Sequence, residues 1–363
     1  MATYRSLKDI DWAMLILALI LCAVGILQIY SATHASIWKD AWWKQIIYVV
    51  TGLLLMWVIM TIDYHTLLGQ VPILYGVMIV LLLVTLLMGK KVFGSTRWIP
   101  MPLGFRLQVS EFAKLVIVLL VARYLTELKG DTIEIWDLIR LIALVGLPMA
   151  LVMKQPDLGT SLTYLPALIV GIFLAGLRWQ YVVGFVVTVA IALPIAWPLL
   201  LPYQKARLAT MVDPYVDPHG TGYQVIQSKI AVGQGGMWGR GATLGTQTQL
   251  RFLPVPHTDF IFSTFAEEHG FVGVVVTLGL YFLLLMQLVQ NAQTAPDRAG
   301  MYICMGVASV ILFHILVNVG MVVGQMPVTG IPLPLLSSGG SSMWSMFLML
   351  GLVNNVRLRR FVN

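Results

Sequence analysis

The sequence predicts an all-α membrane protein, a polytopic bundle of about ten transmembrane helices with one long extracytoplasmic loop. Two observations predict it. Of 363 residues, 58% are hydrophobic and only 11% charged, and mean hydropathy is +0.85. A soluble domain of this length needs many more charges to cover its surface, so lipid is the main solvent. Apolar runs near the roughly 20 residues that cross a hydrocarbon core also recur from end to end. No internal repeat, low-complexity tract or soluble second domain interrupts them, so residues 1–363 read as a single domain.

The runs fall at about 12–31, 43–62, 71–88, 109–127, 137–153, 160–177, 181–201, 260–290, 300–324 and 342–356. The first is long enough to span and lacks a cleavage site, so it reads as a retained helix and not a removed signal. The fourth opens with Glu111 and Lys114, three apart and therefore on one face. The fifth is broken by Pro156, with the sixth starting after a polar turn. The eighth carries Glu267, Glu268 and His269 near its start, so its first turns must face protein or water. Between the seventh and eighth lies the one long non-spanning segment, about 202–259. Its aromatic and aliphatic content argues against disorder.

Ten spans place both termini on one side. Ten Lys and Arg in the loops of that side stand against eight in the short loops opposite, and the basic tail Arg357, Arg359 and Arg360 favours a cytoplasmic C-terminus. The net charge of +7 then points to anionic lipid heads or an anionic ligand on the outer face, and not to nucleic acid. Cys22 and Cys304 lie in apolar runs and read as buried thiols. The histidines are scattered without zinc spacing.

Four constellations hold the chemistry. Arg97 and Arg106 precede a helix in which Ser110 is a candidate N-cap and Lys114 either pairs with Glu111 or contacts phosphate. Asp157, in the Lys154-to-Thr160 break, either caps the next helix or lines a ligand site between spans. The long segment brings Arg207 and Lys229, then glycines from Gly233 to Gly245 that let backbone approach a ligand; no Gly-Lys-Ser/Thr follows, which argues against nucleotide binding. Finally, Pro254 and Pro256 lead into His257-Thr258-Asp259 at the membrane edge. An aspartate in partly apolar surroundings can act as a base, although a helix cap is the plainer reading.

At these positions the chain resembles the SEDS family (shape, elongation, division and sporulation), over nearly its whole length. The motifs are Gln155-Pro156-Asp157-Leu158-Gly159-Thr160, Ser110-Glu111-Phe112-Ala113-Lys114, Gly245-Thr246-Gln247-Thr248-Gln249, Phe252-Leu253-Pro254, His257-Thr258-Asp259-Phe260-Ile261-Phe262 with Ala266-Glu267-Glu268, Asn318-Val319-Gly320-Met321, Pro332-Leu333-Pro334, and Ser337 with Gly339-Gly340-Ser341-Ser342. The Gly-Thr-Gln-Thr-Gln segment and short tails are more similar to the elongation branch than to the division branch. Val255 departs from the pattern, standing where the family commonly has an acid.

The resemblance implies a ten-helix peptidoglycan glycosyltransferase of the bacterial inner membrane, polymerising lipid II on the extracytoplasmic face with a class B penicillin-binding protein and other elongation-complex membrane proteins as partners. Asp259 matches the family's proposed catalytic aspartate, and Glu111, Lys114 and Asp157 match functionally important positions. Gln155, His257, Thr258 and Ser337, from the same motifs, are candidates for substrate contact. An inverting displacement needs a base, Asp259, and cations for the leaving pyrophosphate; Lys114, Arg207, Lys229, Arg97 and Arg106 are the candidates. The resemblance leaves room for a divalent cation (Mg or Mn), although no ligand set demands one. A lipid II flippase using the broken helices, or a non-catalytic scaffold for a transpeptidase, remains the alternative.

Overall fold

The structure, a computed structural model, describes residues 9–34, 36, 38–92, 95–100, 106–128, 133–177, 180–181, 183–184, 198 and 202–360. The expected run at 181–201 lies almost entirely outside the described residues. Among the described residues six helices are long and apolar enough to cross a membrane. They are α1 (Trp12–Thr33), α2 (Ala41–Thr61), α4 (Val71–Met88), α6 (Ile135–Lys154), α12 (Ile261–Gln293) and α13 (Arg298–Val322). Two more reach similar length, α5 (Val109–Glu127) and α14 (Gly340–Arg359). Large apolar side chains such as Leu27, Leu87 and Phe173 face outward, as lipid-facing residues do. The protein is a multi-pass membrane protein, almost wholly helical.

Shorter elements fill the breaks. The turn helix α3 (Tyr64–Gly69) is capped by Asp63, which accepts from His65 N. The helices α7 (Leu158–Leu162) and α8 (Leu165–Leu174) follow the Pro156 break. In the long segment lie α9 (Pro202–Val212), a 3-10 turn (Pro214–Val216), α10 (Thr221–Gly235) and α11 (Thr246–Gln249). The segment is therefore folded, as its composition implied. The stretch before α5, read from sequence as a loop, instead forms a three-stranded antiparallel sheet in the order β1 (Lys90–Val92), β2 (Ser95–Pro100), β3 (Arg106–Leu107). Its strands are too short to show a period-2 pattern.

Small residues set the helix spacing where hydrophobicity cannot, because lipid is as apolar as the helix. A side chain at Gly52 of α2 would strike Phe347 of α14, and one at Gly351 of α14 would meet Ile59 and the Met56 backbone of α2.

One end of the bundle is tied by buried ions. Asp11 accepts from Asn291 Nδ2 at 2.6 Å and Gln287 Nε2 at 2.9 Å, and pairs with Arg357 at 3.1 Å. The start of α1 and the end of α14 are thus at the same end. α1, 22 residues long, runs about 33 Å from there. Ser31, near its far end, donates to Glu268 at 2.6 Å.

α12 has two parts. Gly270 sits at φ 64°, ψ −167°, a break inside the 33-residue helix. Residues 261–268 before it are buried, including Glu267 and Glu268, which meets the expectation that these acids avoid lipid. The glycine-rich stretch covers the break. Arg240 N and Gly241 N donate to the carbonyls of Glu267 and Glu268, while Phe271 N and Val272 N donate to Gly236 and Met237. A side chain at Gly239 (φ 80°) would collide with the Glu268 backbone, and one at Gly270 with Gly239. The expected close approach of glycine backbone is real, but its partner at this point is another backbone and not a ligand.

Candidate active site

Asp259 lies at the other end of the bundle from Asp11. The chain reaches it through Pro254, Val255 and Pro256, and α12 begins two residues later. The capping alternative fails, because the N-cap of α12 is Phe260 and no side chain caps it. What holds Asp259 is α13 and the loop that joins it to α14. Asn318 Nδ2 donates to the Asp259 carbonyl at 3.0 Å and to the Ile331 carbonyl at 2.8 Å. Ser337 Oγ donates to the Thr258 carbonyl at 2.7 Å, and Ser338 N to the His257 carbonyl at 2.9 Å. Ser337 therefore positions the aspartate segment through its hydroxyl. A Cβ at Gly330 would stand 3.4 Å from Asp259 Oδ2.

The second wall is the α6–α7 break. Asp157 both caps α7, accepting from Thr160 N at 3.2 Å and Thr160 Oγ1 at 2.9 Å, and pairs with Arg97 of β2 at 3.1 Å. Gln108 adds a donor at 2.9 Å. The capping reading of Asp157 is realised, and the same carboxylate also pairs with Arg97. Arg97 remains a quarter exposed, and its buried Nε has no hydrogen-bond partner among the described residues. Burial raises the Asp259 carboxyl above its ordinary value; the Arg97 charge opposes this most, followed by the Thr258 hydroxyl, with a further raising contribution from Asp157 and a lowering one from Arg207 of α9. Arg97, Asp157 and Arg207 thus all act on Asp259, and Arg97 and Asp157 also pair with each other.

Other candidates lie elsewhere. Lys114 is fully buried, 2.7 Å from Glu111 and 3.2 Å from His314 Nε2. The outer-face phosphate contact expected of it is corrected to an interior ion pair. His314 Nδ1 faces the Pro332 carbonyl at 3.0 Å, so Nδ1 carries the proton and Nε2 accepts from Lys114. The pair is linked in this way to the loop beneath Asp259. Gln155 is buried, and its amide donates to the Leu82 carbonyl at 2.9 Å, a structural bond at the break instead of the expected substrate contact. Ser110 is not the N-cap; Gln108 is. Arg106 is exposed on β3, and Lys229 is exposed with its stem against Gly324. His257 is buried beside Trp38, ring centroids 5.3 Å apart, and burial depresses it to about 4, so it is neutral. Sequence reasoning passed over Gln108, Thr160, Asn318 and His314 as site-builders. Thr160 and Asn318 stood inside recognised motifs, whereas Gln108 and His314 gave no signal of their own.

The family described as cell cycle protein, FtsW/RodA/SpoVE, matches residues 11–360. The chain belongs to this family. It is 38% identical to peptidoglycan glycosyltransferase MrdB of Escherichia coli (strain K12), covering 99% of this chain and 96% of that one. Among solved structures, a chain from a study of how a peptidoglycan synthase complex coordinates polymerization and crosslinking superposes with TM-score 0.84 at 35% identity, covering 98% of this chain and 99% of that one. The rod shape determining protein RodA of Thermus thermophilus superposes with TM-score 0.72 at 30% identity, over 97% and 98% of the two chains. Within this FtsW/RodA/SpoVE member, no group of three His, Cys, Asp or Glu among the described residues could hold a metal ion. Among the described residues the donor set does not fit a divalent cation held by protein ligands alone.

Proposed function

We propose that this chain polymerises lipid II into glycan strands for cell elongation, with Asp259 as general base. The chain is a peptidoglycan glycosyltransferase, as its full-length relatives are named. The observation that carries the mechanism is Asp259 itself. Its carboxylate is aimed over Gly330, its side chain does not cap α12, and burial raises its proton affinity while Arg97 keeps it ionisable.

Lipid II holds its sugar through an α-linked pyrophosphate, and the polymer is β-linked, so the reaction inverts configuration. Asp259 takes the proton of the acceptor 4-hydroxyl as that oxygen attacks the anomeric carbon. The bond from that carbon to the pyrophosphate breaks, and the pyrophosphate departs with its electron pair. Arg97 and Arg207 offset the charge that develops. Asp157 fixes Arg97 by their 3.1 Å ion pair, so the cation need not reorganise during the reaction. The shared end of α1 and α14 supports two cytoplasmic termini in the inner membrane, with Asp259 on the extracytoplasmic face. The superposition on a chain of a synthase complex supports a class B penicillin-binding protein as partner.

The test is strand formation from lipid II by the purified protein with its transpeptidase partner, wild type against Asp259→Asn. Polymer from wild type and none from the folded variant supports the base. Normal polymerisation by the variant removes Asp259 from the chemistry. Transfer of lipid II across vesicles without polymerisation favours a flippase.

A further inference from the structure

A cavity of about 190 Å³ opens beside the aspartate segment. Ala32, Leu253, Val255 and Pro256 give it an apolar floor, and Trp38, Thr248 and Gln249 stand among its walls. Trp38 is 43% exposed, a large aromatic ring left open at a cavity and braced on His257, two residues before Asp259. From this arrangement we infer a saccharide subsite, holding one pyranose ring of the glycan adjacent to the reacting sugar. The inference rests on the glycosyltransferase reading above.

The chemistry of the walls selects the ligand. A pyranose has apolar C–H faces that stack on an aromatic ring, and an equatorial rim of hydroxyl and amide groups that hydrogen-bond in its plane. Trp38 supplies the platform. Gln249 supplies the rim: its amide nitrogen is bonded to the Ser31 carbonyl at 3.1 Å, which orients its amide oxygen, and that oxygen has no partner among the described residues. Among the described residues no carboxylate lines the cavity, which disfavours a cation. Among the described lining residues Arg251 alone is charged, too little for a pyrophosphate, which the Arg97 and Arg207 side serves better. The volume accommodates a single ring, below the usual range for larger ligands.

The walls are also fixed before any ligand arrives. Thr248 N and Oγ1 donate to Glu267 at 3.2 and 2.9 Å, and Gln247 N donates to it at 2.8 Å. Trp38 N donates to Ser36 Oγ at 3.1 Å. A buried acid thus holds α11, and with it Gln249, against α12. Such preorganisation favours binding because less ordering remains to be done. A subsite one ring away from the reaction holds substrate and transition state alike. Losing it raises KM and leaves kcat almost unchanged.

The experiment uses the full chain with its transpeptidase partner and two readouts. One is steady-state polymerisation of lipid II by Trp38→Ala, Trp38→Phe and Gln249→Ala. The other is saturation-transfer NMR with a lipid-free tetrasaccharide of alternating N-acetylglucosamine and N-acetylmuramic acid. Trp38→Ala is expected to raise KM roughly tenfold or more at near-constant kcat and to lose the transfer to sugar ring protons. Trp38→Phe retains most of both, which separates a stacking platform from a folding requirement. Asp259→Asn keeps the NMR signal while losing turnover. Unchanged KM and NMR signal in both Trp38→Ala and Gln249→Ala overturn the subsite while leaving the glycosyltransferase reading intact. Tetrasaccharide binding through Trp38 in a wild type that makes no polymer overturns that reading and leaves the subsite standing.

Discussion

Asp259, the base proposed above, is a residue whose burial opposes folding. Its carboxyl is raised, with burial as the main cause. The native state therefore binds the proton more tightly than the unfolded chain does, and stability falls as pH rises through the folded pKa. Asp259→Asn removes the ionised form, so the variant is expected to melt higher than wild type at pH 8 while losing polymerisation. The gap closes as pH falls and wild-type Asp259 takes up its proton. Thermal unfolding in detergent over a pH series checks this, and a gap independent of pH would mean that burial does not act on this carboxyl. For the same reason the acid limb of the wild-type rate profile is expected above the ordinary carboxylate range. Sequence alone left Asp259 balanced between cap and base, because the fact that excludes the cap is the geometry at the start of α12, which no local pattern announces. Asp157 was balanced in the same way, and it caps α7 while also pairing with Arg97. Lys114 was misplaced for a different reason. Spacing gave its pairing with Glu111 correctly, but its depth depends on His314, two hundred residues away.

At the scale of elements, α12 illustrates what periodicity can and cannot reveal. Its acids announce that the first turns avoid lipid, and Glu268 is indeed met by Gln28 and Ser31. The break at Gly270 is silent in sequence, because a glycine inside an apolar run is common and its need arises from Gly239 on another segment. Two penalties meet at this crossing. A Cβ at Gly270 would strike Gly239, and its φ of 64° is one that side chains disfavour. Gly270→Ala is expected to destabilise the protein by about 3 kcal/mol or more. Gly279 in the same helix has nothing within 4 Å of a Cβ, so Gly279→Ala is expected to be neutral or to stabilise by up to about 1 kcal/mol. Paired melting curves in detergent test the contrast, and equal losses in the two variants would refute the crossing as the cause. The small sheet was missed for a related reason: strands of three, six and two residues owe their pairing to the ends of α4 and α5, not to a pattern of their own.

For the whole molecule, hydropathy made the bundle legible, and what it could not supply was the pairing of ends. The ion cluster at Asp11 supplies it, by placing the start of α1 beside the end of α14. α12 gives an independent measure. Trp238 belongs to the stretch that covers the Gly270 break, and Thr294 follows the last residue of the helix. The 24 residues between Gly270 and Thr294 correspond to about 36 Å of helix, enough to cross a hydrocarbon core of about 30 Å. Thr294 accepts from Arg360 Nη1 at 3.1 Å, which puts it at the end shared by the termini. Trp238, 80% exposed, stands at the end that holds Asp259. Both native cysteines, Cys22 and Cys304, are buried, so an introduced thiol can be read against a quiet background. In intact spheroplasts, an impermeant maleimide is expected to label Trp238→Cys directly and Thr294→Cys only after the membrane is opened. The reverse pattern would turn the molecule over and place Asp259 on the cytoplasmic side, away from the face where glycan strands are assembled. Labelling of both without opening would mean that α12 does not span, and the length argument would fail with it.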